Sequence, residues 1–474
     1  MDNGAVARLG SAMRIPLFAA LVLAAAPAMA AVPADPWHAQ AREVLEHLVS
    51  VRSSEGHHNV PALANYLAAR FTAAGVPASA ITHLPLGETE AMVVRIKGRD
   101  PARKAILFSA HLDVVDANPK DWTRDPFKLV EENGYFFGRG VADDKASAAQ
   151  LAITIERLAR EHKVPSRDLI FAFIGDEETS EATTAMLAGP KKALIDAEYE
   201  IELDGADGLL GHDGKPVIYT ISAAEKTYSD YALTVANPGG HSSLPRADNA
   251  IYELADALTK VRAYQFPAQA NAITRSEFAA EGKVTAGPMG DAMRAFAANP
   301  NDAAAAATLS ASPDYVGAVR KTCVATMLNA GHAPNALPQS ATANVNCRIF
   351  PGTSPEQVRA RLASVVGPGV TVAKTGSGGE ESPVSPPRPD LEAAIARAVH
   401  AYAPGVPVAY SQPAGASDAA WFRRAGIPSY GSSGMFLRDE DDFMHGLNER
   451  LPVKSFYDSI DYARTLVGEL ADPK

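Results

Sequence analysis

Cysteines and clusters of basic residues are scarce in this chain of 474 residues, and long apolar runs are absent beyond its N-terminus. Only two cysteines, Cys323 and Cys347, are present, which excludes a zinc site built of cysteine pairs. The net charge is −11 and no Lys/Arg-rich run occurs, so we expect neither nucleic acid nor an anionic membrane as a partner. After residue 30 no segment offers the about twenty consecutive apolar residues that a membrane span requires.

Two common catalytic signatures are also missing. No G-x-S-x-G sequence is present to support a serine hydrolase. The Gly-Arg-Gly of residues 138–140 lacks the remaining glycine and the acidic residue of a dinucleotide-binding loop. The sequence therefore predicts neither a serine nucleophile nor a nucleotide cofactor.

Residues 1–30 are typical of a secretory signal peptide. Arg8 and Arg14 precede an apolar stretch over residues 15–28, and the Ala-Met-Ala of residues 28–30 is a small-residue cleavage signal. A membrane anchor is the alternative, but the apolar stretch is short for a span. We expect a secreted protein with no membrane association once the signal is removed. The Ala-rich composition favours the bacterial periplasm, with eukaryotic secretion as the alternative.

Imidazole and carboxylate side chains follow several apolar runs in the first half of the chain. The runs at residues 105–110 and 169–174 lead to His111 and to the Asp-Glu-Glu of residues 176–178. Short apolar runs rich in β-branched and aromatic residues, with a helical stretch between them, indicate buried parallel strands of an α/β sheet. Such sheets place their chemistry just beyond the carboxyl ends of the strands. Histidine with several carboxylates suits zinc or a similar divalent ion.

The spacing of these groups suggests separate roles. His111 and Asp113 are two residues apart, so on a strand they point to the same face. We therefore expect the Asp113 carboxylate to accept from the second ring nitrogen of His111 and fix its tautomer. Glu177 and Glu178 are adjacent and diverge, so one can bind metal while the other faces substrate. For any one of these acidic groups, the alternative is an ordinary surface loop with acids at the end of a strand. Three such groups, each after a strand, favour a metal site.

Residues 108–145, with the Trp-Thr-Arg-Asp-Pro-Phe of residues 122–127 inside them, resemble the M20 family of metallopeptidases. The likeness runs from about residue 45 to about residue 463 and points to the branch of carboxypeptidase S and secreted N-acyl amino acid hydrolases. It implies two zinc ions per subunit, for which cobalt could substitute. Glu177 is then the general base. The implied ligands of the ions are His111, Asp143 (which bridges both), Glu178, Asp204 and His445.

The resemblance also assigns residues to substrate. His241 stabilises the oxyanion and, in dimeric members of the family, reaches the partner's site; a turn histidine without a catalytic role is the alternative. Arg348 is the implied ligand of the substrate carboxylate, which a planar guanidinium binds in bidentate fashion. Asn335 is an implied substrate contact, and Gly415 and Ser417 belong to a loop near the leaving or terminal group.

The order of predicted elements divides the chain into two units. The pattern β-α-β-β-α-β over residues 225–383 indicates a small two-layer α+β domain. The resemblance implies that this domain is a lid and the place where a homodimer contact could form. Because His445 must join ligands from the first half, the lid is predicted to be inserted into a catalytic domain of residues 31–224 and 384–474. That domain should have a zinc-peptidase-like α/β fold with a central mixed sheet flanked by helices. Near residues 266–320 we predict a helical insertion that either shapes substrate access or is an inert elaboration.

The two cysteines lie in strand-like runs on either side of a turn region. They could therefore face each other across a hairpin. An exported compartment permits a disulfide, but its geometry is demanding. The sequence leaves both a disulfide and buried free thiols open.

These observations and the resemblance together predict a zinc-dependent hydrolase. It should cleave an amide or peptide bond next to a free carboxylate in a dipeptide, a peptide C-terminus or an N-acyl amino acid. A non-catalytic, metal-dependent peptide- or amino-acid-binding protein is one alternative, but a binder has no need of a base such as Glu177. A two-metal phosphoesterase is the other, although that chemistry commonly uses more histidines and basic groups.

Overall fold

The computed structural model describes residues 35–376 and 380–472, so the predicted signal peptide lies outside the described residues. Within these ranges no helix combines the length and the apolar character needed to cross a membrane. The strands are β1 (Ile81–Leu86), β2 (Thr89–Ile96), β3 (Ala105–His111), β4 (Val130–Glu132), β5 (Tyr135–Phe137), β6 (Leu169–Ile174), β7 (Ala197–Glu202), β8 (Gly208–Leu210), β9 (Pro216–Ser222), β10 (Thr227–Ala236), β11 (Gly240–His241), β12 (Thr322–Ala330), β13 (Ala336–Leu337), β14 (Ser340–Ile349), β15 (Thr371–Thr375), β16 (Val408–Ser411), β17 (Ser429–Gly431), β18 (Phe436–Leu437) and β19 (Arg450–Pro452). The helices are α1 (Pro36–Ser50), α2 (Val60–Ala74), α3 (Lys145–Arg160), α4 (Ala182–Ala188), α5 (Ala250–Ala263), α6 (Ala272–Val284), α7 (Gly287–Ala298), α8 (Ala303–Ser310), α9 (Pro313–Val319), α10 (Pro355–Val366), α11 (Pro389–His400), α12 (Ala419–Arg424) and α13 (Val453–Ala471).

The large sheet is mixed, with the order β1-β2-β6-β3-β7-β17-β9-β8-β18 and with β16 paired to β9. Its centre is parallel, because β3 pairs in parallel with both β6 and β7. Helices cover both faces, with α1, α2, α3, α11 and α13 on one side and α4 and α12 on the other. The predicted α/β fold class, a central mixed sheet flanked by helices, is confirmed.

Burial on both faces explains the composition of the central strands. All seven residues of β3 are buried. Ile106 and Phe108 pack into the core under α1, α2 and α3, whereas Ala105 and Leu107 pack into the core under α4 and α12. Alternate side chains of a strand point to opposite faces, so a strand covered on both sides is apolar throughout.

A second, four-stranded sheet has the order β12-β14-β10-β15. Helices α5 and α10 pack against it around a separate apolar cluster. Along the chain its elements run β10, α5, β12, β14, α10 and β15. We call these elements the four-stranded unit; how the chain divides into domains stays a prediction.

Helices α6 to α9 lie between α5 and β12 in the sequence and form an apolar cluster of their own. They also contact the large sheet, since α6 packs beside β16 and β9. Nδ2 of Asn271 donates to Oε1 of the Gln412 side chain at 2.5 Å. The backbone N–H of Gln412 donates to Oε2 of Glu277 at 3.2 Å. The helical segment therefore joins the four-stranded unit to the edge of the large sheet.

The two cysteines form a disulfide. Cys323 on β12 and Cys347 on β14 lie directly opposite each other in the antiparallel register. Cys347 is fully buried in the core of the four-stranded unit. Of the two arrangements that the sequence left open, the structure has the disulfide.

Candidate active site

Three neighbouring strands deliver polar side chains to one edge of the large sheet. His111 is the last residue of β3, and Glu177 and Glu178 lie in the loop after β6. Asp204 follows β7 by two residues. Because β3, β6 and β7 are parallel, their carboxyl ends meet at this edge, as the order of the motifs predicted.

Asp143 lies between two histidines that are far apart in the sequence. Its Oδ1 is 2.8 Å from Nε2 of His111, and its Oδ2 is 3.0 Å from Nε2 of His445. His445 Nε2 is also 3.0 Å from the Glu178 carboxylate, and Asp204 Oδ1 is 3.8 Å from His111 Nε2. The predicted ligand residues thus converge, with one carboxylate positioned between two half-sites.

The charges of this group fit a pair of divalent cations. Asp143, Glu177, Glu178 and Asp204 line one cleft, and four carboxylates balance the charge of two such ions. Burial raises the pKa of Glu177 and of Glu178, because water is withdrawn from their charged forms. Hydrogen bonds to Asp143 and Glu178 raise the pKa of His445 to about 10. Imidazole and carboxylate donors within 4.8 Å of one another are a suitable ligand set for zinc.

Asp113 contacts both His111 and the loop that carries the two glutamates. The Nδ1 of His111 is 3.1 Å from the Asp113 backbone carbonyl and 3.5 Å from its carboxylate, so the carbonyl is the better acceptor. The carboxylate instead accepts the backbone N–H groups of Glu177 and Glu178, at 3.1 and 3.0 Å. The carboxylate lies close to both the ring and the glutamate loop, and its role in fixing the tautomer of His111 stays a prediction.

The cleft beside these residues has a volume of about 560 Å³. Arg348 and Ser417 line it, while Gly415 lies outside the lining and its neighbour Ala416 lies within. The remaining lining residues are Asp143, Glu177, Glu178, Thr179, Ser180, Glu181, Asp204, Glu225, Lys226, Thr227, Tyr228, Gly376, Glu380, Ser382, Ala420, Trp421, Arg424 and His445.

Arg348 presents its guanidinium to this cleft from the four-stranded unit. It lies opposite Tyr228 on β10, and its guanidinium carbon is 4.8 Å from the centre of the Tyr228 ring. Burial lowers the pKa of Arg348. Among the described residues no carboxylate forms an ion pair with it, which leaves its donors available to an anionic ligand.

His241 and Asn335 lie together, but outside the cleft. Strands β11 and β13 pair His241 with Ala336, and the Ser242 amide donates to the Asn335 carbonyl at 3.1 Å. Both His241 and Asn335 are exposed. Within one chain, the structure therefore brings these two predicted residues to each other and not to the cleft.

Ser417 contacts buried acids that no motif singled out. Its hydroxyl is 2.7 Å from Oε2 of Glu202 and 2.9 Å from Oε2 of Glu225. Burial raises the pKa of both glutamates, because water is withdrawn from their charged forms. Ser417 therefore connects the cleft wall to two buried acids, and its predicted place near the leaving or terminal group of the substrate stays a prediction. Nothing in the local sequence indicated Glu202 and Glu225, because strand β7 and residue 225 meet loop 413–417 only in the fold.

Comparison with known proteins identifies the family. The family model described as peptidase family M20/M25/M40 matches residues 107–469. The chain belongs to this family. It is 28% identical over 391 residues to a probable carboxypeptidase S-like 2 of Dictyostelium discoideum, covering 79% of this chain and 73% of that protein. It is also 28% identical over 365 residues to the N-fatty-acyl-amino acid synthase/hydrolase PM20D1 of Xenopus tropicalis, covering 75% and 70%.

Solved structures share the fold. An M20 family metallo-carboxypeptidase, Sso-CP2 of Sulfolobus solfataricus, superposes with a TM-score of 0.70 at 17% identity, over 90% of this chain and 98% of that one. Human carnosine dipeptidase 1 superposes with a TM-score of 0.62 at 15% identity, over 92% and 97%. These likenesses show the shared fold, and the family match supports a metallopeptidase or amidohydrolase.

Proposed function

We propose that this member of the M20 family is a zinc-dependent hydrolase that cleaves an amide or peptide bond next to a free carboxylate. The observation that carries the proposal is the placement of Asp143 between His111 and His445, with Glu177 on the wall of the same cleft. A Bacillus subtilis peptidase of the M20 family, described as dinuclear and metal-binding, agrees with two metal positions. It superposes with a TM-score of 0.58 at 13% identity, over 92% of this chain and 98% of that one.

Each residue has a distinct part in the proposed reaction. His111 and Asp204 would hold one zinc ion, Glu178 and His445 the other, and Asp143 both. When bound, the ions supply an acidified water and polarise the scissile carbonyl. Glu177, on the wall of the same cleft, would take a proton from the attacking water and pass it to the leaving amine.

Arg348 supports a substrate with a free carboxylate. Its half-buried guanidinium faces the cleft and has no ion-pair partner among the described residues. The relatives' names point to the same chemistry, since a carboxypeptidase and an N-fatty-acyl-amino acid hydrolase both act at an amide beside a carboxylate. We propose peptides with a free C-terminus and N-acyl amino acids as the substrate class.

Removing the metal tests the function directly. We expect a chelator to abolish hydrolysis of dipeptides and N-acyl amino acids, and zinc or cobalt to restore it, because the proposed water is acidified only by the ions. Elemental analysis should find two ions per chain in active protein. Full activity in verified metal-free protein would refute the proposal. Zinc binding without turnover would favour the binding-protein alternative, and turnover of phosphate esters alone would favour the phosphoesterase.

We further propose a homodimer formed through the four-stranded unit. Strand β12 is at the edge of its sheet, with Val324, Met327 and Leu328 exposed by 58%, 72% and 62%. An open strand with exposed apolar side chains is suited to pairing with a second copy. A dimer would also give His241, which lies outside its own chain's cleft, a partner site to reach.

Charges on this edge should separate the protomers. We expect Leu328→Lys, combined with Met327→Lys, to give a monomer by light scattering and to lower kcat, because His241 would no longer reach an oxyanion. Lysine at Val164, which is 51% exposed and remote from β12, is the control. A wild-type protein that is already monomeric and fully active would contradict the dimer.

A further inference from the structure

Glu449 is a buried acid that holds the backbone of the Asp143 loop. Its side chain is fully buried, and its Oε1 accepts the backbone N–H groups of Ala142 at 2.8 Å and of Asp143 at 3.2 Å. The Gly140 N–H is 3.1 Å from both of its carboxylate oxygens. One carboxylate therefore accepts three backbone N–H groups of the loop that ends at Asp143, those of Gly140, Ala142 and Asp143.

Arg139 extends these contacts to the loop that carries His445. Its Nη1 donates to Oε2 of Glu449 at 2.7 Å, and its Nη2 donates to the carbonyl of Gly446 at 3.1 Å. The guanidinium is 3% exposed and lies 5.2 Å from the centre of the Trp122 ring. Two segments more than 300 residues apart are thus joined through one buried ion pair, directly beside two of the proposed metal ligands.

The His445 segment needs such support. His445 has a φ of 61° and Asn448 a φ of 57°, both in the left-handed region that non-glycine residues rarely adopt. Conformations of this kind persist only where surrounding contacts hold them. Glu449 follows directly after this turn, so the contacts that fix its carboxylate also fix the position of the imidazole.

We propose that Glu449 is a positioning residue that, together with Arg139, makes the two metal positions depend on each other. The inference rests on the proposed two-metal site. Asp143 is shared by both ions, and Glu449 holds Asp143 and the His445 loop in one rigid arrangement. Loss of Glu449 should therefore weaken both ions together, whereas loss of His445 alone should weaken one.

Titration of the apo protein with zinc, in competition with a chromophoric chelator, tests the proposal. We expect Glu449→Gln to weaken both zinc sites by about 10- to 100-fold, as is usual for groups that orient metal ligands. The variant leaves Arg139 buried without a counter-charge, which could unfold the protein. The double variant Arg139→Gln/Glu449→Gln removes both charges and should show the same weakening in a folded protein. The visible spectrum of cobalt-loaded protein should change as well, because the spectrum reports ligand geometry.

Asp441 provides a matched control. It is buried, lies eight residues before Glu449, and accepts from Arg450 at 2.7 Å and from the Tyr135 hydroxyl at 2.8 Å. Asp441→Asn should lower the unfolding temperature and leave zinc affinity unchanged. Unchanged affinity in the Glu449 variants, or equal weakening in Asp441→Asn, would overturn the inference while leaving the proposed function intact. A wild-type protein that binds no zinc would overturn both.

Discussion

Replacing Glu177 by glutamine should lower kcat by about 10²- to 10⁴-fold while the metal content stays close to that of the wild-type protein. Glutamine keeps the size of the side chain but cannot carry a proton between water and leaving amine. The backbone amide of Glu177 would still donate to Asp113, so the loop and the neighbouring Glu178 should keep their places. Steady-state kinetics with a dipeptide, together with elemental analysis of the same sample, would measure both quantities.

Glu181 offers a matched control for this experiment. It lines the same cleft, burial raises its pKa as well, and its carboxylate accepts the indole N–H of Trp421 at 2.7 Å. Glu181→Gln keeps an acceptor for that indole and should change kcat little. Near-normal turnover in Glu177→Gln would show that another group is the base. Loss of metal from that variant would show that Glu177 is a ligand.

Replacing Arg348 by alanine should impair substrates with a free carboxylate far more than the corresponding amides. A guanidinium paired with a carboxylate in a partly desolvated site contributes about 2–5 kcal/mol to transition-state binding. An amide presents no anion to Arg348, so the wild-type enzyme should hydrolyse it poorly and the variant should hydrolyse it at a similar rate. The measurement is kcat/KM for a dipeptide and its C-terminal amide, on both proteins.

Arg424 serves as the control, because it is a second arginine in the same cleft. It also lines the cleft, but its guanidinium stacks 4.2 Å from the centre of the Trp421 ring. Arg424→Ala should leave the preference for acids over amides unchanged. Equal losses on acid and amide in Arg348→Ala would mean that Arg348 supports the end of β14, and the free-carboxylate specificity would have to be withdrawn.

Local patterns in the sequence were sufficient for the central strands of the sheet, and the resemblance to the M20 family supplied the proposed metal ligands. Apolar runs such as residues 105–110 and 169–174 are buried on both faces, so composition alone marks them as central parallel strands. Parallel strands end at one edge, and for that reason His111 and Glu178 could be placed together before any coordinates. His445 is distant in sequence and was assigned by its motif, which the fold then brought to Asp143.

Other assignments depended on which atoms meet across the fold. The backbone carbonyl of Asp113 lies nearer to Nδ1 of His111 than the Asp113 carboxylate does, and that carboxylate also accepts from the Glu177 and Glu178 amides. Ser417 contacts Glu202 and Glu225, which come from distant parts of the chain. Spacing along a strand gives the face to which a side chain points, but not the partner that it finds there.

The sequence by itself determined the fold class and the acidic character of the chain, because composition and periodicity act over a few neighbouring residues. The candidate ligands came from motifs that resemble those of the M20 family. Only the tertiary structure decided between disulfide and free thiols, placed His241 outside its own chain's cleft, and joined Glu449 to the Asp143 loop. These depend on distances between segments that can lie more than 300 residues apart, and such distances are set by the packing of whole elements.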